Sequence, residues 1–439
     1  MMSARLFGLA AALCLSGSVL AEDLSEILDL ALQNDPQVNQ AKAAYRAALE
    51  SRPQARSNFL PNINLSADTT DNSQDRNFGA GSQFGGSEDF NSHGYSLTLT
   101  QPVFDRDAIV QQRQVDAIVG EAESNLNSEE QALMVRAAER YFDVLAAEDN
   151  LVFAKTEKEA IARQLEQTNE RFEVGLIAIT DVNEAQASFD LAVADEIDAN
   201  NTLLSSREGL QEVTGSEHEV LSTLIDNTPL VSPDPENIDR WTEVALSENL
   251  AVQAAEYASE NLRHAIDRTR AGHYPSVDIV ANRSDNSSGG GSLGGSEIES
   301  TSLSLQLNVP IYQGGLIRSQ TREAQARLDE SLQILEQQQR SAKRQVRESY
   351  LGVLASISRV KALQQAEKSS QSALEANEVG LEVGTRTTVD VLDARRVLFR
   401  AKRDLARARY DYILNTLRLK QAAGTLSVND IREINRWLN

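Results

Sequence analysis

Ala31-Leu32-Gln33-Asn34-Asp35 returns a little over two hundred positions later as Ala245-Leu246-Ser247-Glu248-Asn249. Leu60-Pro61-Asn62-Ile63 returns as Tyr274-Pro275-Ser276-Val277, and Val174-Gly175 with Thr180-Asp181-Val182 returns as Val383-Gly384 with Val389-Asp390-Val391. Val213-Thr214-Gly215 is answered by Ala422-Ala423-Gly424. A long unit carried in tandem predicts two similar halves packed about a pseudo-symmetry axis. The halves are residues 22–225 and 226–439, after a signal peptide at 1–21. Arg5 gives that segment its charge, Leu6 to Leu15 its apolar stretch, and Ser18 to Ala21 its cleavage site. The one cysteine, Cys14, lies inside it behind Leu13, so cleavage leaves no thiol and no lipid anchor. Disulfides, thiolate metal sites and cysteine nucleophiles are thereby excluded from the processed chain.

No other stretch holds 18 consecutive apolar residues, so no spanning helix is expected. Barrel strands leave a weaker trace, and four segments carry it. Ile63, Leu65 and Ala67 alternate with polar neighbours over 62–70, and Tyr95, Leu97 and Leu99 do so over 94–103. Val277, Ile279 and Ala281 repeat the pattern over 276–283, as do Leu303, Leu305, Leu307 and Val309 over 301–310. Each predicts a strand with one apolar and one polar face, about 9–11 residues, enough for a tilted bilayer crossing. The Gly-, Ser-, Asn- and Asp-rich connections near 72–92 and 284–298 are expected to be exposed loops. At the other end each strand meets a proline (Pro61, Pro102, Pro275, Pro310) and an aromatic (Phe59, Phe104, Tyr274, Tyr312). Aromatics at one level suggest a membrane-interface girdle. Two soluble hairpins on a helical core are the alternative.

Almost everything else reads as helix. The runs 107–174 and 316–383 hold no proline, and at about 1.5 Å per residue each spans on the order of 100 Å. Such length needs lateral partners. A seven-residue seam runs through Val144, Leu151, Leu165 and Phe172, and its copy through Val353, Val360, Leu374 and Leu381. The skipped positions, Lys158 and Glu367, are charged. This spacing predicts coiled-coil packing. Gly175 and Gly384 break the long helices, and Thr180 and Thr388 are expected to cap return helices over 180–214 and 388–423. Helices at 24–58 and 238–273 supply the remaining length, with 215–237 and 425–439 gathered as an equatorial belt. The fold class is therefore mainly α with a membrane β-barrel. Four strands cannot close a barrel and open edges are forbidden in lipid, so chains must combine. Two chains give a filled eight-stranded barrel and three give a twelve-stranded one with a lumen. The polar inner faces favour the lumen.

The tip sequence Val383-Gly384-Thr385-Arg386-Thr387-Thr388-Val389-Asp390-Val391-Leu392-Asp393-Ala394 resembles the signature of the TolC family of outer-membrane efflux and type I secretion channels. Val174 to Val182 and the strand exit Val309-Pro310-Ile311-Tyr312-Gln313-Gly314-Gly315 are similar to it too, and the likeness covers the chain after residue 21. The resemblance implies a homotrimer in the outer membrane reaching into the periplasm. It also implies a periplasmic adaptor (a membrane fusion protein) and an inner-membrane efflux pump or ABC exporter as partners. Cargo would be small toxic compounds, secreted proteins, or both. Asp390 and Asp393, three apart on one helix face, would form a carboxylate ring at the pore constriction that favours cations. Arg386 would reach Thr180 and Asp181 as a tip latch. Val174, Gly175, Leu176, Val383, Gly384 and Thr385 would form the tip turns that meet the adaptor. Where the family carries tyrosine this chain has Leu381, which removes one latch hydrogen bond. Outside that context Asp390 and Asp393 read as solvated acids and Arg386 as an ordinary surface arginine.

Other readings are weaker. Lys+Arg number 42 against 65 Asp+Glu, a net charge of −23, which argues against nucleic acid as a partner. The basic run Arg395, Arg396, Arg400, Lys402, Arg403, Arg407 and Arg409 predicts pairing with acidic helices over ligand binding. Gly289, Gly291 and Gly294 match a dinucleotide fingerprint, but no helix follows them. His93, His218, His264 and His273 are scattered, with no metal spacing and no nucleophile motif. No enzyme, no cofactor and no phosphate-binding loop are expected, so energy for transport would come from partners. The competing functional class is a non-conducting periplasmic tether of the outer membrane.

Overall fold

The computed structural model describes residues 21–76, 86–225, 228–291 and 294–439. The signal peptide therefore lies outside the described residues, apart from Ala21. The chain forms two compact units. One holds residues up to 39, 130–241 and 345–439; the other holds 40–129 and 242–344. Neither unit coincides with a repeat, because each draws segments from both halves of the duplication.

The second unit contains the sheet. Strands β1 (Asn62–Arg76), β2 (Gly86–Phe104), β3 (Ser276–Ser288) and β4 (Ser296–Asn308) pair antiparallel in the order β1-β2-β3-β4. They run well beyond the apolar alternation, so most of the expected loop 72–92 is strand, as are both ends of 284–298. Alternation marks only the stretch that needs an apolar face, whereas ladder hydrogen bonds continue through residues polar on both faces. Residues 77–85 and 292–293, the centres of those expected loops, lie outside the described residues. β2 passes through Pro102 by a register shift between Pro102 and Phe104, where proline's missing donor is tolerated.

The expected helix 24–58 is three helices: α1 (Leu24–Asn34), α2 (Pro36–Leu49) and α3 (Ser51–Ser57). The expected helix 238–273 is two, α6 (Ile238–Glu248) and α7 (Leu250–Ala271). The breaks fall at Asp35 and Asn249, which are equivalent positions of the duplication. Asp35 Oδ1 accepts from the backbone N–H of Gln37 and Val38, each at 2.9 Å. Asn249 Oδ1 accepts from Ala251 and Val252 at 3.1 and 3.2 Å. Two donors that a helix start leaves orphaned are satisfied by one side chain, which fixes a bend in both copies.

Between them run α4 (Arg106–Glu173) and α5 (Ile179–Thr214), and after the sheet α8 (Leu316–Glu382), α9 (Thr388–Ala422) and α10 (Val428–Asn435). In the first unit Glu22, residues 220–225 and the C-terminus meet. Glu22 bridges Leu221 and Leu224 bridges Leu438. Tyr141 of α4 donates its hydroxyl to Ser222 O at 2.7 Å, and burial pushes that hydroxyl's pKa well above its usual range. In the second unit α4 and α7 come very close at Gly120, where the Tyr257 ring occupies the space a Cβ would need.

Candidate functional site

The sheet separates its residues by chemistry. One face stacks Ile63, Leu99, Ala281 and Leu303 across the four strands, and toward the helices Phe104, Val277 and Leu307. The other stacks Asn64, Thr98, Asn282 and Ser302, then Ser66, Ser96, Ser284 and Ser300. Asn282 Nδ2 donates to Ser96 Oγ at 2.8 Å and to Thr98 Oγ1 at 2.9 Å. These central rows carry hydroxyls and amides and no charge. Leu303, Leu305 and Leu307 are 64–78% exposed, so among the described residues nothing covers this part of the apolar face. β1 and β4 each have one edge without a partner strand among the described residues.

The tips lie in the first unit. Gly175 and Gly384 adopt φ of 77° and 75°, a left-handed conformation open to glycine without a Cβ penalty. Each ends its long helix with a six-residue capping bond, Leu176 N to Arg171 O and Thr385 N to Gly380 O. Val174, Leu176 and Val383 are 70, 74 and 69% exposed. Among the described residues both copies thus present exposed apolar side chains at their tips.

The return helices start differently from expectation. The cap of α9 is Thr387, one residue before Thr388, which is buried. Thr387 Oγ1 accepts from Asp390 N at 3.2 Å, and Asp390 Oδ2 accepts from Thr387 N at 2.8 Å, a reciprocal capping box. The Thr387 N–H, then its hydroxyl, hold the Asp390 carboxyl below the usual carboxylate range, with Arg386 adding attraction. The signal was present as Thr-x-x-Asp, one register off the expected cap. α5 begins after Ala178, which has no side-chain cap, and Thr180 stands inside the helix. The two tips therefore differ at the start of the return helix: α9 has a side-chain capping box and α5 has none.

Arg386 folds over Gly380 within its own tip. Among the described residues of one chain it makes no hydrogen bond or ion pair with Thr180 or Asp181. Asp393 is exposed and pairs with Arg396 at 3.6 Å. Leu381 joins the cluster of Leu374, Val391, Leu398 and Ala394, which secures α8 against α9 by apolar contact. That seam follows the expected spacing. The first-copy seam follows it in part: Val144 and Leu151 are buried, Phe172 is exposed, and burial passes to a second row of the same spacing, Ala154, Ile161 and Thr168. Ile161 instead meets Ala192 of α5 and Leu392 of α9. A third helix at this level pulls the seam off a strict two-helix register.

The basic run of α9 is the partner in that contact. Arg395 reaches Ala160 O and Glu378 at 2.8 and 2.7 Å, Arg403 reaches Glu157 at 3.1 Å and Arg407 reaches Asp143 at 2.7 Å. Arg418 reaches Glu139 at 2.7 Å and Tyr410 donates to Asp149 at 2.7 Å. From Arg395 to Arg418 the α4 partners move back from Ala160 to Glu139, so α9 runs antiparallel to α4 along a polar zipper. Glu157 is buried, and that burial raises its pKa against the opposing pull of Arg403. Glu157 was not legible as special, since its burial depends on α5 and α9 arriving together. Among the described residues no group of histidines and carboxylates is arranged to hold a metal ion. None of their helices is long and apolar enough to cross a membrane.

The sequence profile of the family described as outer membrane efflux protein matches residues 27–216 and 241–425. The chain is 40% identical to Outer membrane protein TolC of Vibrio cholerae, over 99% of this chain and 98% of that protein. It is 29% identical to the Alkaline protease secretion protein AprF of Pseudomonas aeruginosa, over 97% and 89% respectively. The crystal structure of the Campylobacter jejuni CmeC outer membrane channel superposes with a TM-score of 0.79 at 15% identity, covering 95% of this chain and 90% of that one.

Proposed function

The chain belongs to the outer membrane efflux protein family, and from that premise we propose that it is a passive exit channel gated at its helical tips. It resides in the outer membrane and carries the channel fold of its relatives. The observation that carries the reading is the two-sided sheet: an apolar face uncovered among the described residues for lipid, a polar hydrogen-bonding face that also holds Asp68 and Asp278 for an aqueous lumen, and two edges without a partner strand. A tether needs no such polar face. Three copies joined edge to edge close twelve strands around a lumen and remove every edge from lipid.

In the first unit, three copies of Asp390 and Asp393 form a ring of carboxylates. The Thr387 box keeps Asp390 ionised over a wide pH range and fixes where it points. Arg386, free of Thr180 and Asp181 in one chain, meets them across a subunit boundary in the closed trimer. The bare tips Val174–Leu176 and Val383–Thr385 dock a periplasmic adaptor. An inner-membrane pump or ABC exporter supplies the energy, and the chain itself performs no catalysis. The likeness to TolC and to AprF supports both small compounds and secreted protein as cargo.

Single-channel recording of the purified protein in a planar bilayer under a salt gradient tests this. The expected result is a small cation-selective conductance, enlarged by Arg386→Ala with Asp181→Ala and less selective after Asp390→Ala with Asp393→Ala. Absence of any channel from inserted oligomer, in wild type and in the Arg386/Asp181 variant alike, refutes the conduit and favours the tether.

A further inference from the structure

The feet of all four strands meet at one end of the sheet. Asn62 of β1 lies opposite Thr100 of β2, Phe104 opposite Val277 of β3, and Ser276 opposite Asn308 of β4. The sixteen residues next to each strand foot are 46–61, 105–120, 260–275 and 309–324, within about 24 Å of it by helical rise. Together they hold ten arginines, no lysine and seven acids, in a chain whose net charge is −23. A local surplus of cations against so acidic a background requires a reason.

The acids are largely consumed. Asp107 pairs with Arg268 at 2.9 Å, Asp116 with Arg52 at 3.7 Å and Asp267 with Arg270 at 3.4 Å. Arg106 sits over the Tyr274 ring, 5.8 Å from its centroid. Arg46, Arg56, Arg113, Arg263, Arg318 and Arg322 are exposed and make no ion pair with any described residue. Beside Arg318 a cleft of about 240 Å³ is lined also by His273, Tyr312 and Gln313. Ile311 and Tyr312, which also line it, are 93 and 85% exposed and follow β4 in the chain. Guanidinium groups beside aromatics at the edge of an apolar band match the phosphate level of a bilayer, where arginine binds two oxygens at once.

We propose that this arginine collar binds the headgroups of anionic phospholipids in the periplasm-facing leaflet, with the Arg318 cleft as its deepest seat. The inference rests on the membrane placement of the sheet. It gives the barrel a fixed depth, because phosphates held by the collar set the level at which the strands enter lipid.

Native mass spectrometry of the delipidated full-length oligomer, titrated with phosphatidylglycerol or phosphatidylcholine, reads this directly. Phosphatidylglycerol is expected to bind more tightly, and the preference to shrink as salt rises. Arg318→Gln with Arg322→Gln is expected to weaken it about fivefold for each arginine removed, while Arg318→Lys with Arg322→Lys retains most of it. Equal binding of the two lipids, an undiminished preference in the glutamine variant, or full displacement by millimolar inorganic phosphate overturns the proposal. Should the glutamine pair fail to assemble, the single variants Arg318→Gln and Arg322→Gln carry the same comparison. A protein that conducts normally but shows no lipid preference removes the collar and leaves the export reading standing.

Discussion

Arg403 and Glu157 make the sharpest energetic test of how α9 is held. Glu157 is 8% exposed at its side chain and Arg403 is 30% exposed, with 3.1 Å between them. Removing Arg403 as alanine strands a buried carboxylate, a mechanism worth about 3–5 kcal/mol when both partners are buried. Arg403 retains partial contact with water, so the lower end applies, about 3 kcal/mol, or roughly a hundredfold in a local opening equilibrium. Glu157→Gln leaves a hydrogen-bonding amide and an arginine that water can still reach, so its cost is smaller, about 1 kcal/mol. Glu157→Met with Arg403→Met is expected to be close to neutral. Amide hydrogen exchange across 150–165 and 396–410 measures these openings without requiring the whole protein to unfold in one step. The pH dependence carries a sign. Because burial raises the folded pKa of Glu157, its contribution is fully present below the ordinary value of 4.5 and is lost as pH rises through the folded value. Acidification should therefore relieve the Arg403→Ala defect and leave Glu157→Gln unchanged. If Glu157→Gln costs as much as Arg403→Ala, or if Arg403→Ala changes exchange less than twofold, the buried-charge argument is wrong.

Two other perturbations follow from local geometry. Gly120→Ala places a methyl 2.7 Å from the Tyr257 ring, so overpacking of about 1–3 kcal/mol outweighs the roughly 1 kcal/mol gain in helix propensity. Faster exchange in 250–262 should report this, and Tyr257→Ala in the same chain should cancel it; a stabilised single variant would contradict the close approach. At the second tip the depressed pKa of Asp390 means its cap is intact above the ordinary value of 3.8 and fails as pH falls through the folded value. Amides 387–390, led by Thr387 whose N–H the carboxylate accepts, should lose protection on acidification in wild type and show no such change in Asp390→Asn. A titration that survives the substitution would place the effect elsewhere.

The parts of this fold that were readable from sequence are those written in periodicity. The strands announced themselves at Ile63, Tyr95, Val277 and Leu303, the tips at Gly175 and Gly384, and the basic run at Arg395 to Arg409. What escaped reading was set by hydrogen bonds one residue wide. Asp35 and Asn249 look like ordinary polar positions inside a helical pattern, yet each breaks the helix because its side chain outcompetes continuation. Thr387 and Thr388 are adjacent, and only the reciprocal reach of Asp390 chooses between them. The first-copy seam kept its seven-residue spacing but changed row, because three helices converge near Ile161 and bury the row that faces both partners. Length of strand escaped as well, since ladder bonds leave no mark in side-chain chemistry.

The rows of hydroxyl and amide on the sheet have a kinetic meaning. A solute moving along such a wall exchanges one set of hydrogen bonds for another of equal quality, as it does in bulk water. On the proposed lumen wall such rows give a neutral polar solute no strong well, while Asp68 and Asp278 of the same face make the passage more favourable for cations than for anions.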